Sequence, residues 1–232
     1  MRTGPIAYAR SRLFLINDET LERRVRKGRL LGAFLLAPVI LSSCTTADQS
    51  SRAELAQKTE QAKLAYRNEP YEVFLVDRKK FDSRFSPVDI KPAEQHPAGT
   101  ILIDTSQKFL YLYNANGTAR RYGVAVGASG YGWSGTAKVG RKATWPAWHP
   151  TDDMRNKAPG LPRRIEPGTH NPLGARALYL YQNGVDTLYR IHGTSEPWTI
   201  GTEASSGCIR MLNEDVIELY NLVSPGATVI VK

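Results

Sequence analysis

The sequence predicts a mostly-β domain with a short helix late in the chain, on three observations. From Gly99 onward apolar residues recur with a period of two, the spacing of a strand with one buried face. Turn dipeptides break that pattern at Asn116-Gly117, Asn183-Gly184 and Pro225-Gly226. Within this region only residues 215–223 carry a helical stripe, with Val216, Leu219, Tyr220 and Val223 on one face.

The elements follow in order. Ile101 and Ile103 alternate with Leu102 and Asp104, and Phe109, Tyr111 and Tyr113 alternate with Leu110 and Leu112. Asn114 to Gly117 then turns the chain, and Tyr122, Val124 and Val126 complete a β-meander. A glycine-rich stretch follows over residues 127–140, of which 127–133 read as a β-turn region. Residues 178–181 and 185–191 form a hairpin around a type I′ Asn183-Gly184 turn. Asn213 is placed as the N-cap of the helix, and residues 227–231 as the last strand. Ahead of these elements, residues 45–68 are polar, with Leu55, Ala62 and Tyr66 as a thin stripe, and read as a weakly helical tether. Residues 69–98 hold four prolines and read as an extended lead-in packed by Tyr71, Phe74, Phe81 and Phe85. The expected division is 1–43, 44–98 and a main domain over 99–232.

Composition excludes several classes. At 41% hydrophobic and 23% charged residues the chain is globular. Two cysteines rule out a disulfide scaffold and Cys-rich zinc modules. Four histidines, none in an HxH or HxxxH pair, argue against a zinc hydrolase. The net charge of +9 suggests a polyanion partner, but eight Lys/Arg against three Asp/Glu fall in residues 1–43. The rest carries 23 against 19, so no nucleic-acid partner is expected.

The first 44 residues read as an address. Arg-Arg-Val-Arg-Lys-Gly-Arg over residues 23–29 precedes twelve mostly apolar residues, 30–41. At about 1.5 Å per residue these cannot cross a ~30 Å bilayer core, but they match the h-region of an export signal. Leu41-Ser42-Ser43-Cys44 resembles a bacterial lipobox, in which the cysteine is lipidated and becomes the mature N-terminus. The resemblance implies a periplasmic protein anchored through Cys44. Thr45 in the next position implies outer-membrane sorting.

The chemistry concentrates in residues 192–211. His192 ends a predicted strand, and Cys208 lies in a Ser/Gly turn ahead of the helix. An imidazole beside a thiol can take its proton, and nearby positive charge lowers a thiol pKa, so Cys208 is expected to be acidic. Gly207 permits a tight turn whose N–H groups point at one oxyanion. Arg210 offers a planar fork for a carboxylate. Residue types alone leave open that Cys208 is a small buried hydrophobe and His192 a satisfied strand-end group.

The whole stretch is more specific. It resembles the signature HGT-x-x-P-x-x-I-G-x-x-x-S-x-G-C-I-R-M of the L,D-transpeptidase catalytic domain (YkuD/ErfK-like). His192, Gly193, Thr194, Pro197, Ile200, Gly201, Ser205, Gly207, Cys208, Ile209, Arg210 and Met211 fall in register. Asn171 to Leu178 and Asn213 to Tyr220 also look like that family. The resemblance covers about residues 99–232. It implies a β-sandwich-like domain with a short helix after the catalytic cysteine. It implies Cys208 as nucleophile, His192 as general base, and the Gly193 carbonyl orienting the imidazole. The N–H groups of Gly207 and Cys208 would form the oxyanion hole, Ser205 and Ser206 would meet substrate, and Arg210 would bind the substrate or position the site loop. Ser206 stands where many members have histidine, so a second imidazole is missing. The implied reaction is acyl transfer on peptidoglycan stem peptides with loss of D-alanine, without metal or organic cofactor. The acceptor is an amine of a second stem peptide or of a wall-anchored protein. A carbapenem is implied as a covalent mimic of the donor. A wall-binding module with a degenerate site, and a hydrolase that passes the acyl group to water, stay open as alternatives.

Residues 127–133 lack the GxxxxGK[ST] of a phosphate loop. Tyr131, Trp133, Trp145 and Trp148 suit either a groove or a core. Residues 149–174 read as a long loop, with His149 and His170 as surface histidines.

Overall fold

The computed structural model describes residues 45–128 and 132–232. The export-signal reading, Cys44 and Tyr131 lie outside the described residues, as do the side chains of Leu55 and Ala62. Helix α1 (Thr45–Ala65) is followed by two short 3-10 turns and by strand β1 (Val88–Ile90). The meander comprises β2 (Ile101–Asp104), β3 (Phe109–Tyr113) and β4 (Ala119–Gly123), after which come β5 (Val126–Gly127) and β6 (Gly135–Thr144). A short helix α2 (Asp152–Lys157) precedes the hairpin of β7 (Arg176–Gln182) and β8 (Val185–His192). Strands β9 (Glu203–Ser205) and β10 (Ile209–Arg210), helix α3 (Asn213–Leu222) and β11 (Thr228–Val231) complete the chain. No helix among the described residues is long and apolar enough to cross a membrane.

Among the described residues nine strands form one ladder in the order β1-β4-β3-β2-β11-β6-β7-β8-β10, and β5 pairs separately with β9. The ladder curls back on itself, since Ala125, just past β4, exchanges both backbone hydrogen bonds with Arg210 of β10 at 2.9 Å each. Ile101 and Ile103, Leu110 and Leu112, Val139, Leu178 and Leu180, Ile191, Val229 and Val231 therefore share one core with Val216 and Leu219 of α3. Fully burying each of these side chains stabilises the fold by roughly 1.5–3 kcal/mol. Since the inner face of β6-β7-β8 is the core, Tyr179, Arg190 and His192 belong to the outer face.

Several expectations change. Gly127, expected in a turn, closes β5, and the later part of the glycine-rich stretch enters β6 in the middle of the sheet. The long loop contains α2, capped by the Thr151 hydroxyl, which accepts from Met154 N–H at 3.2 Å. Asn213 is not an N-cap: it is the first helical residue, and Leu212 precedes the helix with no side-chain cap. The hairpin is as expected, with Asn183 at φ 51° and Gly184 at φ 80°, the two left-handed positions of a type I′ turn.

Part of the lead-in is integral to the sheet. β1 pairs antiparallel with β4, and Phe85 packs on Phe109 with ring centres 5.6 Å apart. Phe74, by contrast, faces solvent. Glu69 accepts hydrogen bonds from Trp145 Nε1 at 2.7 Å and from both terminal nitrogens of Arg176. Arg176 is 8% exposed and Glu69 15%, so removing one partner strands the other's charge out of water. Glu69→Ala is expected to lower the unfolding free energy by about 3–5 kcal/mol in urea denaturation. A loss under about 1 kcal/mol would mean that the pair does not hold the lead-in to β7.

Candidate active site

β10 runs parallel to β8, with Arg210 opposite His192 and Ile209 opposite Ile191. Side chains alternate along a strand, so Arg190, His192 and Arg210 share the outer face, and Cys208 joins it two residues before Arg210. The Met211 N–H donates to the His192 carbonyl at 2.8 Å and locks the strand ends together.

His192 is buried, and its Nδ1 lies 2.6 Å from the Gly193 carbonyl. Nδ1 must carry the proton in that bond, which leaves the lone pair on Nε2. Burial pushes the imidazole pKa down to about 4, and the Arg210 and Arg190 charges act in the same direction. The carbonyls of Gly193 and Pro172 oppose this without reversing it.

Cys208 is half-buried and forms part of the wall of a cavity of about 460 Å³, beside Leu188, Arg190, Tyr179 and Trp148. Its thiol faces the Leu188 carbonyl at 3.9 Å. Burial pushes the thiol pKa up, outweighing a backbone hydrogen bond from Arg190 and the Arg190 and Arg210 charges. The acidic cysteine expected from its neighbours is therefore not what the fold produces. Both guanidiniums are already paired: Arg210 with Glu196 at 2.7 Å, and Arg190 with both Asp186 oxygens at 3.0 Å.

The turn before Cys208 is closed by one hydroxyl. Ser205 Oγ donates to the Cys208 carbonyl at 2.5 Å and accepts the Gly207 N–H at 3.1 Å. Ser205 is thus a buried brace, not an open substrate contact, and the Gly207 N–H is engaged within the turn instead of facing an oxyanion. Gly207 sits at φ +119°, a backbone conformation that favours glycine. Ser206 is exposed. Arg210, through Glu196, ties β10 to the loop after His192.

Three contributors were not legible as site residues. Asn213 Oδ1 accepts from Ala175 N–H at 3.0 Å and Thr194 N–H at 3.3 Å, while its Nδ2 donates to the Thr194 carbonyl at 2.9 Å. A Cβ on Gly193 would lie 2.1 Å from that oxygen, so a side chain there would have to displace the Asn213 amide. Leu188 adopts φ +64°, a strained state for leucine. Its N–H donates to Asp186 Oδ1 at 2.8 Å, which holds the bulge that aims the Leu188 carbonyl at the thiol. The parity of Asp186, Arg190 and His192 on one strand was the available signal for Asp186; nothing marked Leu188.

The aromatic residues divide between the expected roles. Trp145 is core and Trp148 lines the cavity, while Trp133 stacks on Tyr189 with ring centres 5.6 Å apart. His149 is exposed at the cavity wall, and His170 is exposed away from it. No three His, Cys, Asp or Glu side chains among the described residues gather in a way that would hold a metal ion.

These electrostatics have measurable consequences. The unfolded chain protonates His192 near 6.5 and the folded chain only near 4, so the unfolded state binds more protons between those values. Stability is expected to fall as pH drops from 6.5 toward 4, and the ring's NMR shifts to titrate with a midpoint near 4. A midpoint at 6.5 would contradict the burial argument. Alkylation of Cys208 by iodoacetamide should rise with pH along a curve displaced above that of a free thiol. A curve displaced below it would mean a resting thiolate.

Residues 98–231 match the YkuD family, the L,D-transpeptidase catalytic domain. The probable L,D-transpeptidase YbiS of Escherichia coli K12 is 35% identical over 138 residues, which cover 56% of this chain and 43% of that protein. The chain thus matches less than half the length of this curated relative. A solved Brucella melitensis structure, described as a probable carnitine operon oxidoreductase, is 45% identical, covers 64% of this chain and 94% of its own, and has a TM-score of 0.46. L,D-transpeptidase 3 of Mycobacterium tuberculosis is 20% identical, with 59% of this chain and 61% of its own covered and a TM-score of 0.42. With more than half of its length matched, the chain belongs to the L,D-transpeptidase catalytic domain family.

Proposed function

We propose that this protein is a peptidoglycan L,D-transpeptidase in which Cys208 is the nucleophile and His192 the general base. The observation that carries the reading is a thiol on a cavity wall, just ahead of a strand paired with the one that ends in a buried imidazole, whose Nδ1 is held by the Gly193 carbonyl. Family membership supports it.

Both groups rest neutral at pH 7, so attack and proton transfer are coupled. The Cys208 proton passes to Nε2 of His192 as Sγ bonds to the carbonyl carbon of the stem peptide's penultimate residue. The carbonyl electrons move onto oxygen, where the Cys208 N–H is the available donor of the turn. The Gly207 N–H can join it only by leaving the Ser205 hydroxyl. Collapse of the adduct breaks the C–N bond to D-alanine, whose nitrogen takes the proton from the imidazolium. A thioester remains. An amine acceptor, of a second stem peptide or a wall-anchored protein, gives its proton to Nε2, attacks the thioester and releases the thiol. The new amide replaces the one broken, so no outside energy source is needed.

The Cys44 lipid anchor and the periplasmic, outer-membrane location belong to the same proposal, on the strength of residues 30–44. Cys44→Ala is expected to move the protein from the membrane to the soluble fraction after export. A wild-type protein already soluble would remove the anchor.

The activity test is incubation of the protein with disaccharide-tetrapeptide, followed by mass spectrometry for D-alanine and cross-linked dimer. Cys208→Ser should abolish both products, and His192→Ala should cost roughly 10²–10⁴-fold in rate. His149→Ala and His170→Ala should cost far less. D-alanine without dimer would indicate a hydrolase, and neither product a binding module. A carbapenem should leave one covalent adduct on Cys208 and none on Cys208→Ser.

A further inference from the structure

We infer that Arg141 is a specificity residue that binds a free carboxylate of the acyl donor, away from the bond that is broken. This rests on the transpeptidase reading above and deepens it. Four strands place the residues in one row: Arg141 of β6 is level with Tyr179 of β7, Tyr179 with Arg190 of β8, and the β8–β10 register carries the row to Cys208. Residues level with one another across a sheet share a face, so the row runs along the outer face to the nucleophile.

The two arginines of the row differ. Arg190 stacks on Tyr179 with its guanidinium carbon 4.4 Å from the ring centre, but both Asp186 oxygens neutralise it. Arg141 lies 3.5 Å from the same ring centre and has no acidic partner among the described residues. The ring fixes the guanidinium plane and leaves its N–H edge free for a carboxylate. Cys208, Arg141 and Arg190 line the same cavity, and no Asp or Glu does. The cavity wall therefore keeps one uncompensated positive charge, remote from the thiol.

Three steps of about 4.8 Å separate the Arg141 and Cys208 positions along the row. A donor lying across the strands, with its carbonyl at Cys208, spans that distance in about three residues of extended chain less the reach of the arginine. A carboxylate on the donor's second residue, or on the side arm of a diacid third residue, falls in this range. Both offer the same chemistry to a planar fork.

The test compares four acidic or amidated donors with wild type, Arg141→Gln and Arg141→Lys. The donors are a tetrapeptide carrying both carboxylates, the two singly amidated forms and the doubly amidated form, and the readout is kcat/KM for D-alanine release. Wild type should prefer the fully acidic donor over one amidated form by about tenfold, and that form identifies which carboxylate is bound. In Arg141→Gln this preference should collapse toward one, and Arg141→Lys should fall between. Equal losses by Arg141→Gln on acidic and amidated donors, or no preference in wild type, would overturn the inference. Binding of the same peptides to Cys208→Ala, followed by tryptophan fluorescence, separates the two proposals. If no donor turns over but acidic peptides bind more tightly in an Arg141-dependent way, the transpeptidase reading fails and the carboxylate site stands. Binding indifferent to both carboxylate and Arg141 overturns the site.

Discussion

The side chain of Asn213 is the constraint on which the site depends. From the first turn of α3 it accepts from the backbone of Ala175 and Thr194 and donates back to Thr194. These are the residues that enter β7 and leave β8, so one amide fixes the helix, the hairpin base and the exit from His192. Since the Gly193 carbonyl orients the imidazole, its peptide must stay where Asn213 puts it. An Asn213 that merely capped its own helix would contribute about 1 kcal/mol. Turned outward, it joins three segments whose backbone groups would otherwise be left unpaired, at roughly 1–3 kcal/mol for each one buried.

Burial then sets the resting chemistry. The same packing that holds His192 depresses its pKa, and the same half-buried wall raises that of Cys208. A thiolate–imidazolium pair would place two charges where water cannot solvate them and where both nearby arginines already have acid partners. A neutral pair costs less until substrate arrives. The strained Leu188 backbone belongs to this arrangement, because its bulge turns a carbonyl toward the thiol instead of into the ladder.

The curl of the sheet accounts for the position of the site. Among the described residues, a nine-stranded ladder that meets itself through Ala125 and Arg210 puts the core on one face of β6-β7-β8, and Tyr179, Arg190 and His192 on the other. His192 and Cys208 lie at the end of that face, where β10 closes the ladder, and Cys208 lines the cavity.

Residues 99–232 declared their strands by alternation, their hairpin by Asn183-Gly184 and their candidate site by the motif that holds His192 and Cys208, because these are local or motif-borne signals. The sequence by itself thus determined a β-rich domain and the family motif that marks the candidate site. Tertiary structure decided the rest. Strand β6 was hidden by its glycines until β7 and β11 paired with it on either side. Asn213 looked like a cap because its partners, Ala175 and Thr194, are distant in sequence. Cys208 looked acidic because Arg210 is two residues away, while the burial that reverses the effect, with a smaller push from the Asp186 charge, comes from elsewhere in the chain. Short-range pattern fixes which backbone states are available, but solvation and charge compensation depend on every segment packed against a group, and only the folded chain brings those segments together.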